Sequence, residues 1–112
     1  MKLSEIVKEL DLEVLINANL DECINDAYVS DLLSDVMGNA KAGQVWITMQ
    51  THKNVAAIAS LKDLPAVIIV NGGKPEEDML LHARSEGVAI LISKLPTYKL
   101  SALLYNIINC EV

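Results

Sequence analysis

The sequence predicts an α/β domain: a small, mostly parallel sheet flanked by helices and built on a carboxyl-terminal β-α-β-α-β-α unit. Three observations predict it. Two five-residue runs, Ala66 to Val70 and Val88 to Ile92, are wholly apolar, as strands covered on both faces must be. A third run, Val45-Trp46-Ile47-Thr48-Met49, is β-branched and aromatic, the composition of a strand. Between and after these runs, apolar residues recur at helical spacing. Strands alternating with amphipathic helices pair in parallel through right-handed crossovers, and ligands gather at the carboxyl ends of such strands.

The elements follow in order. Leu3, Ile6, Val7 and Leu10 form one apolar stripe and predict an opening helix. Val14-Leu15-Ile16 reads as a short strand closed by the polar turn Asn17-Ala18-Asn19, and Ala27-Tyr28-Val29 as a second strand. Ser30 or Asp31 is placed to cap a short helix through Leu32, Leu33, Val36 and Met37 that Gly38-Asn39 ends. After the strand at 45–49, Asn54 caps a helix with Val55, Ile58, Ala59 and Lys62 on one face, halted before Pro65. Following the strand at 66–70, Asn71-Gly72-Gly73-Lys74 makes a turn, and Pro75 opens a helix with Glu76, Glu77 and Asp78 against its dipole. Gly87 ends that helix. Beyond the strand at 88–92, Thr97 caps a last helix carrying Leu100, Leu103, Leu104, Ile107 and Ile108.

Composition bounds the function. The 112 residues, 52% hydrophobic, suit a single domain over 1–112. Fifteen acids against nine bases give a net charge of −6, which argues against a nucleic-acid surface. The charge is uneven: residues 1–40 hold nine acids and two lysines. Cys23 and Cys110 are far apart in sequence and outside any Cys-x-x-Cys pair, so neither zinc nor a disulfide scaffold is expected. Five-residue apolar runs fall far short of the roughly 20 residues that span a bilayer. No signal peptide is recognised, and a cytoplasmic location with no membrane partner is expected.

The chemistry-bearing features lie at the strand ends. Gly72-Gly73-Lys74 before a helix has the residue types of an anion site, although no P-loop spacing occurs and Pro75 removes a donor. The plainer reading is a glycine turn at the end of a buried strand, common in α/β folds. His52 and Lys53 close the strand at 45–49, an acid–base group and a cation or simply a solvated loop. Asp21, Glu22, Asp26, Asp31 and Asp35 match no calcium loop and read as a solvated acidic face. Neither a nucleophile elbow nor a zinc-protease motif is present. No metal, no cofactor and no enzymatic activity are expected.

From Val45 to Tyr105, the succession Val-Trp-Ile-Thr, Thr51-His52-Lys53-Asn54, Val67-Ile68-Ile69-Val70-Asn71-Gly72-Gly73, Gly87-Val88-Ala89-Ile90-Leu91 and Thr97-Tyr98 resembles the DRTGG domain family. Leu3 to Leu10 and Glu13-Val14-Leu15 resemble that family's first helix and strand. His52-Lys53 stand where the family name has Asp-Arg, and Asn71-Gly72-Gly73 where it has Thr-Gly-Gly. Such domains accompany CBS-domain pyrophosphatases and some phosphotransacetylases, and a related fold begins the bifunctional kinase/phosphorylase of the phosphocarrier protein HPr. The resemblance implies a stand-alone, non-catalytic regulatory or interaction domain, often dimeric, without the P-loop kinase domain.

These readings place one cleft among Thr51, His52, Lys53, Asn71, Gly72, Gly73 and Lys74. It would bind a small anionic ligand, nucleotide- or phosphate-like, or a partner protein. The alternative is a purely structural homodimerisation module with no ligand. A homodimer is expected in either case, because the last helix is apolar nearly all round and such helices are covered on more than one side.

Overall fold

Four strands run parallel and a fifth runs against them. The computed structural model, which describes residues 1–109, orders the elements as α1 (Leu3–Glu9), β1 (Glu13–Ile16), β2 (Ala27–Val29), α2 (Leu33–Asn39), β3 (Val45–Thr48), α3 (Lys53–Leu61), β4 (Ala66–Ile69), α4 (Glu77–Glu86), β5 (Ala89–Ile92) and α5 (Thr97–Ile108). The sheet order is β1-β5-β4-β3-β2. β2, β3, β4 and β5 are parallel neighbours, and β1 lies antiparallel on β5. The two runs that are apolar throughout pair in parallel at the centre, as their composition requires.

Stepping from β2 to β5 always moves the chain the same way across the sheet. Right-handed crossovers taken in one direction deposit their helices on one face. Accordingly α2, α3 and α4 pack together there, with Val36, Val55, Ala59, Met79 and Ala83 against Trp46, Val67, Ile69 and Ile90. The opposite face is covered by α1 and α5, whose Leu3, Ile6, Leu100 and Leu104 meet Val45, Ile47, Ile68 and Leu91. The result is three layers, with alternate residues of each strand feeding two separate cores.

Both short strands of the acidic first part join the sheet, at opposite edges. The segment between them serves α1: Leu3 N–H donates to Glu22 C=O at 2.9 Å and Ser4 N–H to Leu20 C=O at 2.9 Å. Backbone carbonyls thereby occupy helix-end donors that the helix itself leaves free. Asn19, in left-handed conformation with φ 57°, donates its amide to Pro65 C=O at 2.9 Å and Gly87 C=O at 2.7 Å. One side chain thus ties the amino ends of β4 and β5.

Helix boundaries depart from the expected caps. None of the α2, α3, α4 or α5 N-caps, which are Leu32, His52, Glu76 and Pro96, makes a side-chain cap bond. Asn54 and Thr97 lie inside their helices and Pro75 precedes α4 by two residues, while α2 does end at Asn39, where Gly38-Asn39 was expected to end it. Asp31, read as a cap for α2, reaches across to β3 instead. Gly87 does end α4, with φ 72° in the left-handed region. Cys23 is a free, exposed thiol, and Cys110 lies outside the described residues.

Candidate functional site

The carboxyl ends of β2, β3, β4 and β5 converge at one end of the sheet. Asp31, just past β2, accepts from Thr48 Oγ1 at 2.9 Å and Met49 N–H at 2.7 Å, and its carbonyl accepts from Gln50 Nε2 at 2.9 Å. The β3–α3 loop is therefore held from its left by an acidic residue. On its other side, Glu76 N–H donates to Thr51 C=O at 3.0 Å, and His52 Nδ1 lies 2.8 Å from Glu76 Oε2. His52 and Glu76 are both more than half exposed, so the pair contributes little to stability.

The Asn71-Gly72 turn is set by backbone geometry. Asn71 and Gly72 have φ of 60° and 63°, and Gly73 N–H donates to Val70 C=O at 3.2 Å. Two left-handed residues closed by that bond make a type I′ turn, for which Asn-Gly is the favoured pair. Gly73 is required for space: a Cβ there would stand 2.8 Å from Ile69 Cγ2, with Thr51 Cγ2 at 3.8 Å. Gly72 N–H donates to Ser93 C=O at 2.7 Å and Asn71 N–H to Leu95 C=O at 2.9 Å. Turn and β5 loop are thus stitched together, and the glycine N–H donors are engaged within the protein. An anion cradle of glycine amides is not what the turn provides.

The connections leaving β4 and β5 diverge, since α4 covers one face and α5 the other. Divergent loops of adjacent strands open a crevice at the strand ends. A cleft of about 340 Å³ lies here, lined by Glu13 and Leu15 of β1, the 72–75 turn, Leu80, Ile92 and Lys94. Its floor is apolar and its rim carries two lysines, Lys74 and Lys94. Of the seven predicted residues, Gly72, Gly73 and Lys74 line this cleft. Thr51 touches the turn from the other side, Asn71 is exposed with its amide on Met49 Sδ at 3.8 Å, and His52 and Lys53 are exposed where α3 begins. The loops are neighbours, but the cleft opens toward β1 and not toward α3.

Lys94 and the β1 wall are what sequence reading missed. The Ser93–Pro96 loop was recognisable as a strand-end loop; nothing local showed that β1 would return antiparallel beside it. Among the described residues, no group of His, Cys, Asp and Glu is arranged to hold a metal ion, and no helix is long and apolar enough to cross a membrane.

No protein-family model and no curated protein matches the sequence. The fold does match a solved structure: the CBS and DRTGG domains of the regulatory region of Clostridium perfringens pyrophosphatase, complexed with its activator, diadenosine tetraphosphate. The match has a TM-score of 0.69 at 14% identity and covers 92% of this chain. This chain spans 45% of that one. At this identity the likeness is one of fold: nearly the whole chain adopts an architecture also found within a regulatory region.

Proposed function

We propose that this chain is a non-catalytic regulatory domain of the DRTGG type that binds a small anionic, nucleotide- or phosphate-like ligand at the carboxyl ends of its strands. One observation carries the reading: the fold is shared with a regulatory region solved with a nucleotide activator. The site residues are those of the converging loops, Thr51, His52, Lys53, Asn71, Gly72, Gly73 and Lys74. Lys53 and Lys74 supply positive charge there in a protein of net charge −6. A ligand that binds only the folded state raises the melting temperature. A thermal-shift series with AMP, ADP, ATP and diadenosine tetraphosphate should therefore raise Tm for at least one of them. Lys74→Ala, at the lysine nearest the turn, should weaken that ligand about ten- to a hundredfold, the range of one charged hydrogen bond. No shift with any of the four would remove the reading.

We also infer that two copies associate. Tyr98 (86% exposed) and Tyr105 (68%) lie two turns apart along one side of α5 as an exposed aromatic strip, with Leu103 (44%) on the other flank, and exposed apolar groups of this kind mark an interaction surface. That same strip supports the alternative of a structural dimerisation module without ligand.

A further inference from the structure

We propose that the cleft between β1, the Gly72–Pro75 turn and Lys94 takes one amphiphilic anion of mononucleotide size, with its phosphate between Lys74 and Lys94. The proposal rests on the regulatory reading above and places the ligand on the β1 side of the turn. Three observations carry it. The floor, made of Leu15 of β1, Leu80 of α4 and Ile92 of β5, is apolar and open, where α4 meets the β1 edge of the sheet without closing over it. An apolar floor accepts the flat body of a base, which inorganic phosphate lacks. Lys74 and Lys94 are exposed on the rim, and neither forms an ion pair among the described residues. Two unpaired cations around an apolar floor complement an anion with an apolar body. Glu13 is the one carboxylate in the lining; it accepts from a sugar hydroxyl or a base amine and disfavours a second phosphate beside it. At about 340 Å³ the space is near the lower end for small-molecule pockets, so it holds one nucleoside phosphate and not two.

The test compares AMP, adenosine and inorganic phosphate by isothermal titration on the intact chain. AMP should bind, with adenosine and phosphate each at least about tenfold weaker. Lys94→Ala, at an exposed position, should weaken AMP about ten- to a hundredfold. Leu15→Glu should abolish binding by setting a second carboxylate on the apolar floor, and its unliganded melting curve checks that it folds. Glu13→Gln should improve the binding of ADP relative to AMP. If AMP or another of the four nucleotides binds, and Lys94→Ala and Leu15→Glu leave its affinity unchanged while Lys53→Ala lowers it, the ligand sits on the α3 side. The cleft assignment then falls and the regulatory reading stands. If no nucleotide binds, both fall.

Discussion

Single residues at the strand ends act as clamps. Asp31 closes the gap between β2 and β3 with its carboxylate on Thr48 and Met49. A hydrogen bond to a charged acceptor contributes about 1.5–3 kcal/mol. Asp31→Ala should therefore lower stability by about 1–3 kcal/mol in urea unfolding, and Asp31→Asn by less, since the amide oxygen still accepts. Asp35 is a second such residue: the hydroxyls of Ser30 and Tyr28 and the amide of Asn39 hold its carboxyl below the usual carboxylate range. Its folded pKa is depressed, so its stabilisation is present above the unfolded value near ~3.9 and is lost as pH falls through the folded pKa. Tyr28 shows the opposite sign. Its hydrogen bond to Asp35, with desolvation and the adjacent charge, raises the phenol above its ordinary value. That contribution is full below the unfolded value and disappears as pH rises through the folded one. Asp35→Asn should flatten the acid limb of a stability–pH profile and also remove the alkaline effect at Tyr28. A variant with both limbs unchanged would show that this contact has no such role.

At the scale of elements, the turn and the loop at opposite ends of β4 carry the most local information. Gly73→Ala pushes a methyl to within 2.8 Å of Ile69 Cγ2, where something must shift, so a loss of about 1–3 kcal/mol is expected from overpacking. Gly72→Ala meets nothing within 4 Å but must hold φ 63°, a left-handed penalty of roughly 1–2 kcal/mol. Chemical denaturation of both variants checks these values, and Gly72→Asn should recover most of the second. At the other end, Asn19→Ala loses two bonds to Pro65 and Gly87 and also carries the left-handed penalty. Asn19→Gly loses only the bonds. The difference between the two variants in Tm measures the backbone term separately from the side-chain tie.

For the molecule as a whole, the exposed face of α5 and the edge strand β2 decide association. Val29 of β2 is 48% exposed, and Tyr105 lies nearby on the rim of a small apolar cavity of about 130 Å³ lined also by Ile47, Leu104 and Ile108. Light scattering at micromolar concentration should give twice the monomer mass. Tyr98→Lys with Tyr105→Lys should return a monomer with unchanged circular dichroism, since both side chains point to solvent. A monomeric parent chain would leave this face as ordinary surface.

The order of elements and the parallel pairing at the centre were determined by the sequence alone, because a strand apolar on both faces has few other places to lie. Ala66–Val70 and Val88–Ile92 declare this residue by residue, and the one-residue differences at Met49, Val70 and Val88 leave the architecture untouched. Gly87 was legible for the same local reason: a left-handed C-cap favours glycine wherever it occurs. The caps at Asn54 and Thr97 failed because the neighbouring backbone supplied other geometry, and Asp31 failed because its better partners were 17 and 18 residues away. At the candidate site, the glycine turn was visible in sequence but its use was not. Whether Gly72 N–H faces a ligand or Ser93 C=O depends on how close the β5 loop comes, and no local pattern encodes that distance. Only the tertiary structure brought β1 back antiparallel onto β5 and placed Leu15 and Lys94 around one opening. Long-range pairing determines which surfaces meet, while local sequence determines only what each surface is made of.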